Sequence, residues 1–313
     1  MEKIPVIIDC DPGHDDAIAL TMALASEKLE VLGVTLVGGN QTLEKITKNC
    51  LTVLDYIGKE VPVAVGTEGP IRRELTVAAN VHGESGLDGP TLPPPHSKPV
   101  STHAVEFMRR LIEGCDRPVT LIPLGPLTNI ATLFLAHPEL KAKVSRISLM
   151  GGAALSGNRT PTTEFNTWQD PEATHLVFSS GIPITMCGID ITHKALIRDS
   201  DIADFRAIGN RAAVMVADLL DFFSSYYKSI GVNETPLHDP VAVAWVIEPS
   251  ICRTERLNVS VDLDGEHTVG CTVTDFRGVT GKEPNCDVGL DIDREAFVGL
   301  IKELLHHYDG QVA

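Results

Sequence analysis

The sequence predicts an α/β fold, one domain built on an open, mostly parallel β-sheet flanked by helices. Three observations carry that prediction. Short apolar, β-rich runs alternate with longer helical patterns through most of the chain, the order that builds strand–helix–strand units. The tight-turn pair Pro12-Gly13 follows the first such run, and a helical pattern follows the turn. No linker-like stretch divides the 313 residues, so residues 1–313 are read as a single domain.

The elements follow in order. Residues 6–8, Val-Ile-Ile, are an unbroken β-branched run, the mark of a strand buried on both faces. Residues 17–25 hold no Gly or Pro and are rich in Ala and Leu, which favours a helix. Residues 31–37 return to Val, Leu and Thr as a strand. Over 43–57 the apolar side chains Leu43, Ile46, Cys50, Val53 and Ile57 recur at three- and four-residue spacing, a helical face. Strands are expected at 61–65, 119–124, 147–150 and 182–187, and helices at 103–112, 127–136 and 171–178. The proline-rich residues 90–99 read as an exposed connection. Further on, 212–227 and 241–246 are helical patterns, and 294–307 closes the chain as a helix. Residues 257–263 and 269–274 read as a β-hairpin with Asp264-Gly265 as its turn signal. The alternation is that of a Rossmann-like sheet, where sites form beyond the carboxyl ends of the strands.

Composition narrows the function. Acidic residues number 42 against 26 basic ones, a formal net charge of −16. Such a surface repels phosphate backbones, so no nucleic-acid partner is expected, and a heavily phosphorylated substrate is disfavoured. No stretch approaches the roughly 20 apolar residues of a membrane span. The start, Met1 to Pro5, runs directly into a strand without a signal-peptide pattern, so a cytoplasmic enzyme is expected. The 7 cysteines are scattered and never spaced C-x-x-C, which reads as reduced thiols.

The sharpest local feature is Asp9-Cys10-Asp11-Pro12-Gly13-His14-Asp15-Asp16, with four carboxylates in eight residues. Asp15 and Asp16 would open a helix, where the dipole favours negative charge. Asp9 and Asp11 have the spacing that places both on one side of a strand. Helix capping accounts for one or two of the aspartates, but four crowded together repel one another. A hard cation with oxygen ligands, Mg²⁺ or Ca²⁺, would relieve that repulsion.

This run resembles the signature of the inosine–uridine-preferring nucleoside hydrolases. The resemblance extends along nearly the whole chain through Val37-Gly38-Gly39-Asn40, the run from His82 to Pro90, and Pro123-Leu124-Gly125-Pro126-Leu127-Thr128-Asn129. It continues with Met150-Gly151-Gly152, Glu164-Phe165-Asn166, Asp170-Pro171-Glu172-Ala173 and His238-Asp239-Pro240. Several motifs in one order are specific where the acidic run alone would not be. The resemblance implies a ribonucleoside substrate, a nucleoside hydrolase fold, a bound Ca²⁺ and assembly as a homotetramer or dimer. It implies that Asp11, Asp16, Asp239 and the backbone carbonyl of Leu124 hold the metal. Asp15, Asn40, Asn158, Glu164 and Asn166 match residues that hold the ribose hydroxyls, and Met150 and Phe165 match the lining of the sugar pocket. Asp9 is assigned a supporting role.

Breaking a ribosyl C–N bond develops positive charge on the sugar and negative charge on the base. A carboxylate must take a proton from the attacking water, and Asp11 is the candidate. His238 matches a histidine near the nucleobase, His82 is a second candidate there, and the resemblance places Tyr226 near the base. Phe222 falls where relatives often carry a hydroxyl, which leaves base preference open, and Trp168 fits either core or pocket. Two rival readings exist: a metal-dependent phosphohydrolase, which needs basic groups that these motifs lack, and a non-catalytic ribose- or nucleoside-binding protein, which would not need Asp11 as a base.

Overall fold

A computed structural model describes residues 2–310. The strands are β1 (Ile4–Cys10), β2 (Leu29–Leu36), β3 (Val63–Val65), β4 (Val119–Pro123), β5 (Val144–Met150), β6 (Ile184–Cys187), β7 (Leu196–Ile197), β8 (Thr235–Pro236), β9 (Cys252–Val261), β10 (Thr272–Asp275) and β11 (Cys286–Ile292). Nine of them form one sheet in the order β10-β9-β11-β6-β5-β4-β1-β2-β3. From β11 to β3 all neighbours are parallel. β9 runs antiparallel to β11 and to β10. This is the expected single α/β unit with a mixed, mostly parallel sheet.

Alternation along the strands builds a core on each face. Val6, Ile8 and Cys10 of β1 join the buried cluster on one side, and Ile7 joins the cluster on the other. Each such side chain contributes about 1.5–3 kcal/mol on burial. Among the described residues no helix is long and apolar enough to cross a membrane.

The strand order fixes where a site can form. From β1 the chain moves outward through β2 to β3, and from β4 it moves the other way through β5 to β6. β1 and β4 are neighbours, so the loops that leave their carboxyl ends diverge to opposite sides and open a crevice. Asp11 follows β1 and Leu124 follows β4.

Two expectations change in detail. The hairpin of β9 and β10 exists, but its closing pair is Val261 with Thr272, so residues 262–271 form the connection and Asp264-Gly265 is not a two-residue turn. The side chain of Asp262 explains this: it accepts from Asp264 N, Gly265 N and Thr268 Oγ1, winding the loop around itself. Strand β11 carries no apolar strand pattern in the sequence, because Asp287, Gly289 and Asp291 interrupt its run.

Candidate active site

The turn Pro12-Gly13 leads from β1 into the helix His14–Ala25. Asp16, in the first turn, accepts from the backbone N–H of Gly13 at 2.9 Å and of Asp11 at 3.1 Å. That capping ties the helix to the strand end. A second helix, Asp239–Ile247, starts at the same place and packs along the first. Asp15, Asp16 and Asp239 thereby bring carboxylate oxygens within 4.8 Å of one another, all buried.

Asp11 lies beside this triad, between two glycines. Its Oδ2 accepts the Asn40 N–H at 2.7 Å. A Cβ at Gly39 would fall 2.1 Å from Asp11 Oδ2, and one at Gly125 2.2 Å from Oδ1. Asp11 Oδ1 and Asp15 Oδ1 are buried and have no hydrogen-bond partner among the described residues. Asp9 stands apart in a supporting position, accepting from Thr35 Oγ1 at 2.5 Å and Asn129 Nδ2 at 2.8 Å.

Burial sets the electrostatics. It pushes Asp9 up to about 7, with its two hydrogen bonds opposing. Burial, then the neighbouring Asp16, pushes Asp15 up to about 7. The same two causes raise Asp11 strongly, and burial also raises Asp16. Asp239 is raised strongly by burial and then by Asp15, Asp16 and Asp11. Unpaired buried carboxylates cost several kcal/mol each when ionised. An all-oxygen cluster with orphaned oxygens fits a hard divalent cation, whose charge removes that cost.

A cavity of about 910 Å³ opens over the triad. It is lined by Asp15, Asn40, His82, Leu124, Met150, Asn158, Glu164, Phe165, Asn166, Tyr226, His238 and Asp239, so every expected site residue but Asp11 and Asp16 borders it. Several polar groups there already serve the backbone. Glu164 caps the helix Phe165–Gln169, accepting from Asn166 N and Thr167 N, and also accepts from Gly152 N. Asn158 Oδ1 accepts from Phe165 N at 3.0 Å. Asn166 Nδ2 donates to the Leu124 carbonyl at 2.8 Å, which leaves that oxygen a second lone pair. Asn40 Nδ2 donates to Asp16 Oδ2 at 3.2 Å and so ties this loop to the triad.

The far side of the cavity is aromatic and carries histidines. His238 Nδ1 is 2.8 Å from Thr192 Oγ1, and its Nε2 is 2.8 Å from the Tyr227 hydroxyl. Both ring nitrogens are engaged, so Tyr227 stands as a second polar group of the base side. The sequence reading had singled out its neighbour Tyr226. The signal lay in the i, i+4 pair Phe223 and Tyr227, which share a helix face and both line the cavity. Burial holds His238 down to about 3 and His14 to about 4, and lowers His82 strongly. Phe222 does not line the cavity; it stacks on His14 at 5.0 Å. Trp168 lies outside the lining too, with Arg159 at 4.3 Å and Arg73 at 5.9 Å from its ring.

The chain is similar to known proteins along almost its whole length. A family profile described as inosine-uridine preferring nucleoside hydrolase matches residues 6–299. The chain is 51% identical over 308 residues to the pyrimidine-specific ribonucleoside hydrolase RihA of Salmonella agona (strain SL483), covering 97% of this chain and 99% of that protein. The same figures hold for the protein of that name from Salmonella typhimurium (strain LT2). Among solved structures, the purine-preferring ribonucleoside hydrolase from Gardnerella vaginalis superposes with a TM-score of 0.91 at 31% identity, over 97% of this chain and 99% of that one. Likeness at this level over almost the full length means that the chain is a ribonucleoside hydrolase and belongs to the inosine-uridine preferring nucleoside hydrolase family.

Proposed function

We propose that this enzyme hydrolyses the N-glycosidic bond of pyrimidine ribonucleosides at a calcium site held by Asp11, Asp16, Asp239 and the Leu124 carbonyl. The observation that carries the reading is the buried carboxylate cluster with unpartnered oxygens beneath a cavity of about 910 Å³, roomy enough for a ribonucleoside. The pyrimidine preference rests on 51% identity to relatives named for it. A cation bound there supplies a Lewis-acidic position for water and for the vicinal sugar hydroxyls.

The chain's own groups do the rest. Asp11, wedged between Gly39 and Gly125, accepts the water's proton. Asp15, Asn40 and Asn166 orient the ribose. The surrounding carboxylates favour the positive charge that grows on the sugar as the C–N bond breaks. On the base side one direction of donation ends at the cavity: Thr192 O–H to His238 Nδ1, His238 Nε2–H to the Tyr227 oxygen, and Tyr227 O–H to the departing base. His238 therefore assists the leaving group through Tyr227. Attack by water opposite the base inverts the anomeric carbon.

The test is release of free base from uridine, cytidine, inosine and adenosine, with metal content measured on the same protein. We expect kcat/KM for uridine and cytidine to exceed that for the purines by about tenfold or more, with one Ca²⁺ per chain. Equal efficiency on purines would remove the pyrimidine reading, and full turnover by metal-free protein would remove the calcium site.

A further inference from the structure

Most of this acidic chain's arginines that stand near the surface are ion-paired, as Arg72 is with Glu172, Arg117 with Glu30 and Arg206 with Asp218. Arg73 and Arg159 are not. They gather instead on the indole of Trp168, their guanidinium carbons 5.9 and 4.3 Å from the ring centroid, with no carboxylate partner among the described residues. Arg73 Nη1 also donates to the Trp168 carbonyl at 3.0 Å. Arg159 lines the cavity, and its guanidinium meets no hydrogen-bond acceptor among the described residues.

Local structure holds Arg159 in place. Its N–H donates to the Thr163 carbonyl at 3.1 Å and the Gly157 N–H to the Pro161 carbonyl at 3.0 Å, which closes residues 157–163 into a compact turn. The hydroxyls of Thr162 and Thr163 donate to the carbonyls of His267 and Val269, at 2.6 and 3.1 Å, and tie the turn to the connection between β9 and β10. With the backbone anchored and a ring against the guanidinium, little freedom is left to lose when a ligand arrives.

Ribose geometry says what would meet this side chain. The base leaves the sugar at C1′ and C5′ leaves it at C4′, at opposite ends of the C2′–C3′ edge. A riboside with that edge on the carboxylate cluster and its base against Tyr227 and His238 turns C5′ toward the wall of Asn158, Arg159 and Phe165. This orientation rests on the reading of the cluster as a metal site that takes the vicinal hydroxyls. A neutral 5′-hydroxyl leaves the guanidinium without a counterion. The acidic residues of the cavity do not supply one. Glu234 is paired with Arg198 at 2.7 Å, Glu164 accepts backbone N–H groups through both oxygens, and Asp15 and Asp239 belong to the cluster.

We propose that Arg159 makes the C5′ end of the cavity a phosphate site, so that ribose 5-phosphate and nucleoside 5′-monophosphates occupy the cavity in competition with nucleosides. The guanidinium, held over the indole, offers its N–H edges to phosphate oxygens, and Arg73 adds positive charge at the same ring.

The experiment measures Kd for ribose 5-phosphate and for ribose by titration calorimetry on the calcium-loaded enzyme, and the inhibition pattern of each against nucleoside hydrolysis. Neither probe carries a base, so base preference does not enter. We expect ribose 5-phosphate to bind about tenfold or more tightly than ribose, the worth of hydrogen bonds between charged groups, and to inhibit competitively. The advantage should shrink as salt is raised. Arg159→Gln should abolish it and Arg159→Glu should reverse it, with ribose binding on each variant reporting any general damage to the cavity. Ribose 5-phosphate that binds no better than ribose to the wild type overturns the proposal, whether or not the variants fold. So does inhibition that is not competitive, or an unchanged Kd ratio in either folded variant, which would place the phosphate on the metal or outside the cavity. Metal content is read on the same protein. Turnover without metal would remove the calcium reading, while the Kd ratio would still decide the role of Arg159.

Discussion

Asp11 combines two demands that normally conflict. In the proposed mechanism it is buried beside other carboxylates and also accepts a proton during turnover. Its environment meets both by leaving Oδ1 without a partner while Asn40 N–H holds Oδ2 in place. Asp11→Asn should therefore lower kcat by about 10²–10⁴-fold, because an amide nitrogen takes no proton from water. Metal content measured in the same variant separates loss of the base from loss of the ion, and full activity at full occupancy would remove Asp11 from the role. Tyr227 gives a second test at this scale. A natural nucleobase is a poor leaving group, whereas a ribosyl compound that releases a stable anion needs no proton. Tyr227→Phe and His238→Ala should each damage uridine hydrolysis far more than hydrolysis of the activated substrate, by about 10²-fold in the ratio. Equal proportional losses would mean that the pair only braces Asp239.

At the scale of elements, the site depends on backbone that passes close to side chains. The turn after β4 is an example: Gly125 has no Cβ because Asp11 occupies that space. Gly125→Ala must push either the turn or the carboxylate, at a cost of about 1–3 kcal/mol. The expected result is a Tm lower by a few degrees with a much larger fractional loss of kcat, since the displaced group is the proposed base. A variant with normal kcat and lowered Tm would show that Asp11 moves freely. The elements themselves were largely legible, because β1 carries Val6-Ile7-Ile8, β2 and β4 are rich in Val, Leu, Ile and Thr, and the helix Leu43–Tyr56 keeps a three- and four-residue spacing. β11 was not legible, since acidic and glycine residues alternate into it. Nor was the Thr192–His238–Tyr227 chain. His238 announces itself by standing before Asp239, but its partners are 46 and 11 residues away and meet it only through packing.

The whole molecule explains why one ion could matter for stability as well as for chemistry. Two helix starts, two strand ends and a distant segment meet at one point, and what they bring there is negative charge without counterions among the described side chains. In the metal-free protein the folded state pushes Asp9 and Asp15 up to about 7, against an ordinary value of about 3.9. A raised carboxylate binds its proton more tightly folded than unfolded. Its favourable contribution is therefore complete below about pH 4 and is lost as pH rises through about 7. Burial raises the proposed ligands Asp11, Asp16 and Asp239 in the same direction, and a divalent cation bound there reverses the preference, because it needs their oxygens ionised and competes with protons for them. The quantity to measure is the difference in Tm between calcium-loaded and chelated protein as a function of pH, which cancels the titration of surface groups common to both. That difference should be small near pH 4 and grow as the pH rises. Where the ligands are fully ionised and calcium stands at about 100 times Kd, it corresponds to about 2.7 kcal/mol. A difference that stays constant across this range would mean that the buried carboxylates are not the groups that hold the ion.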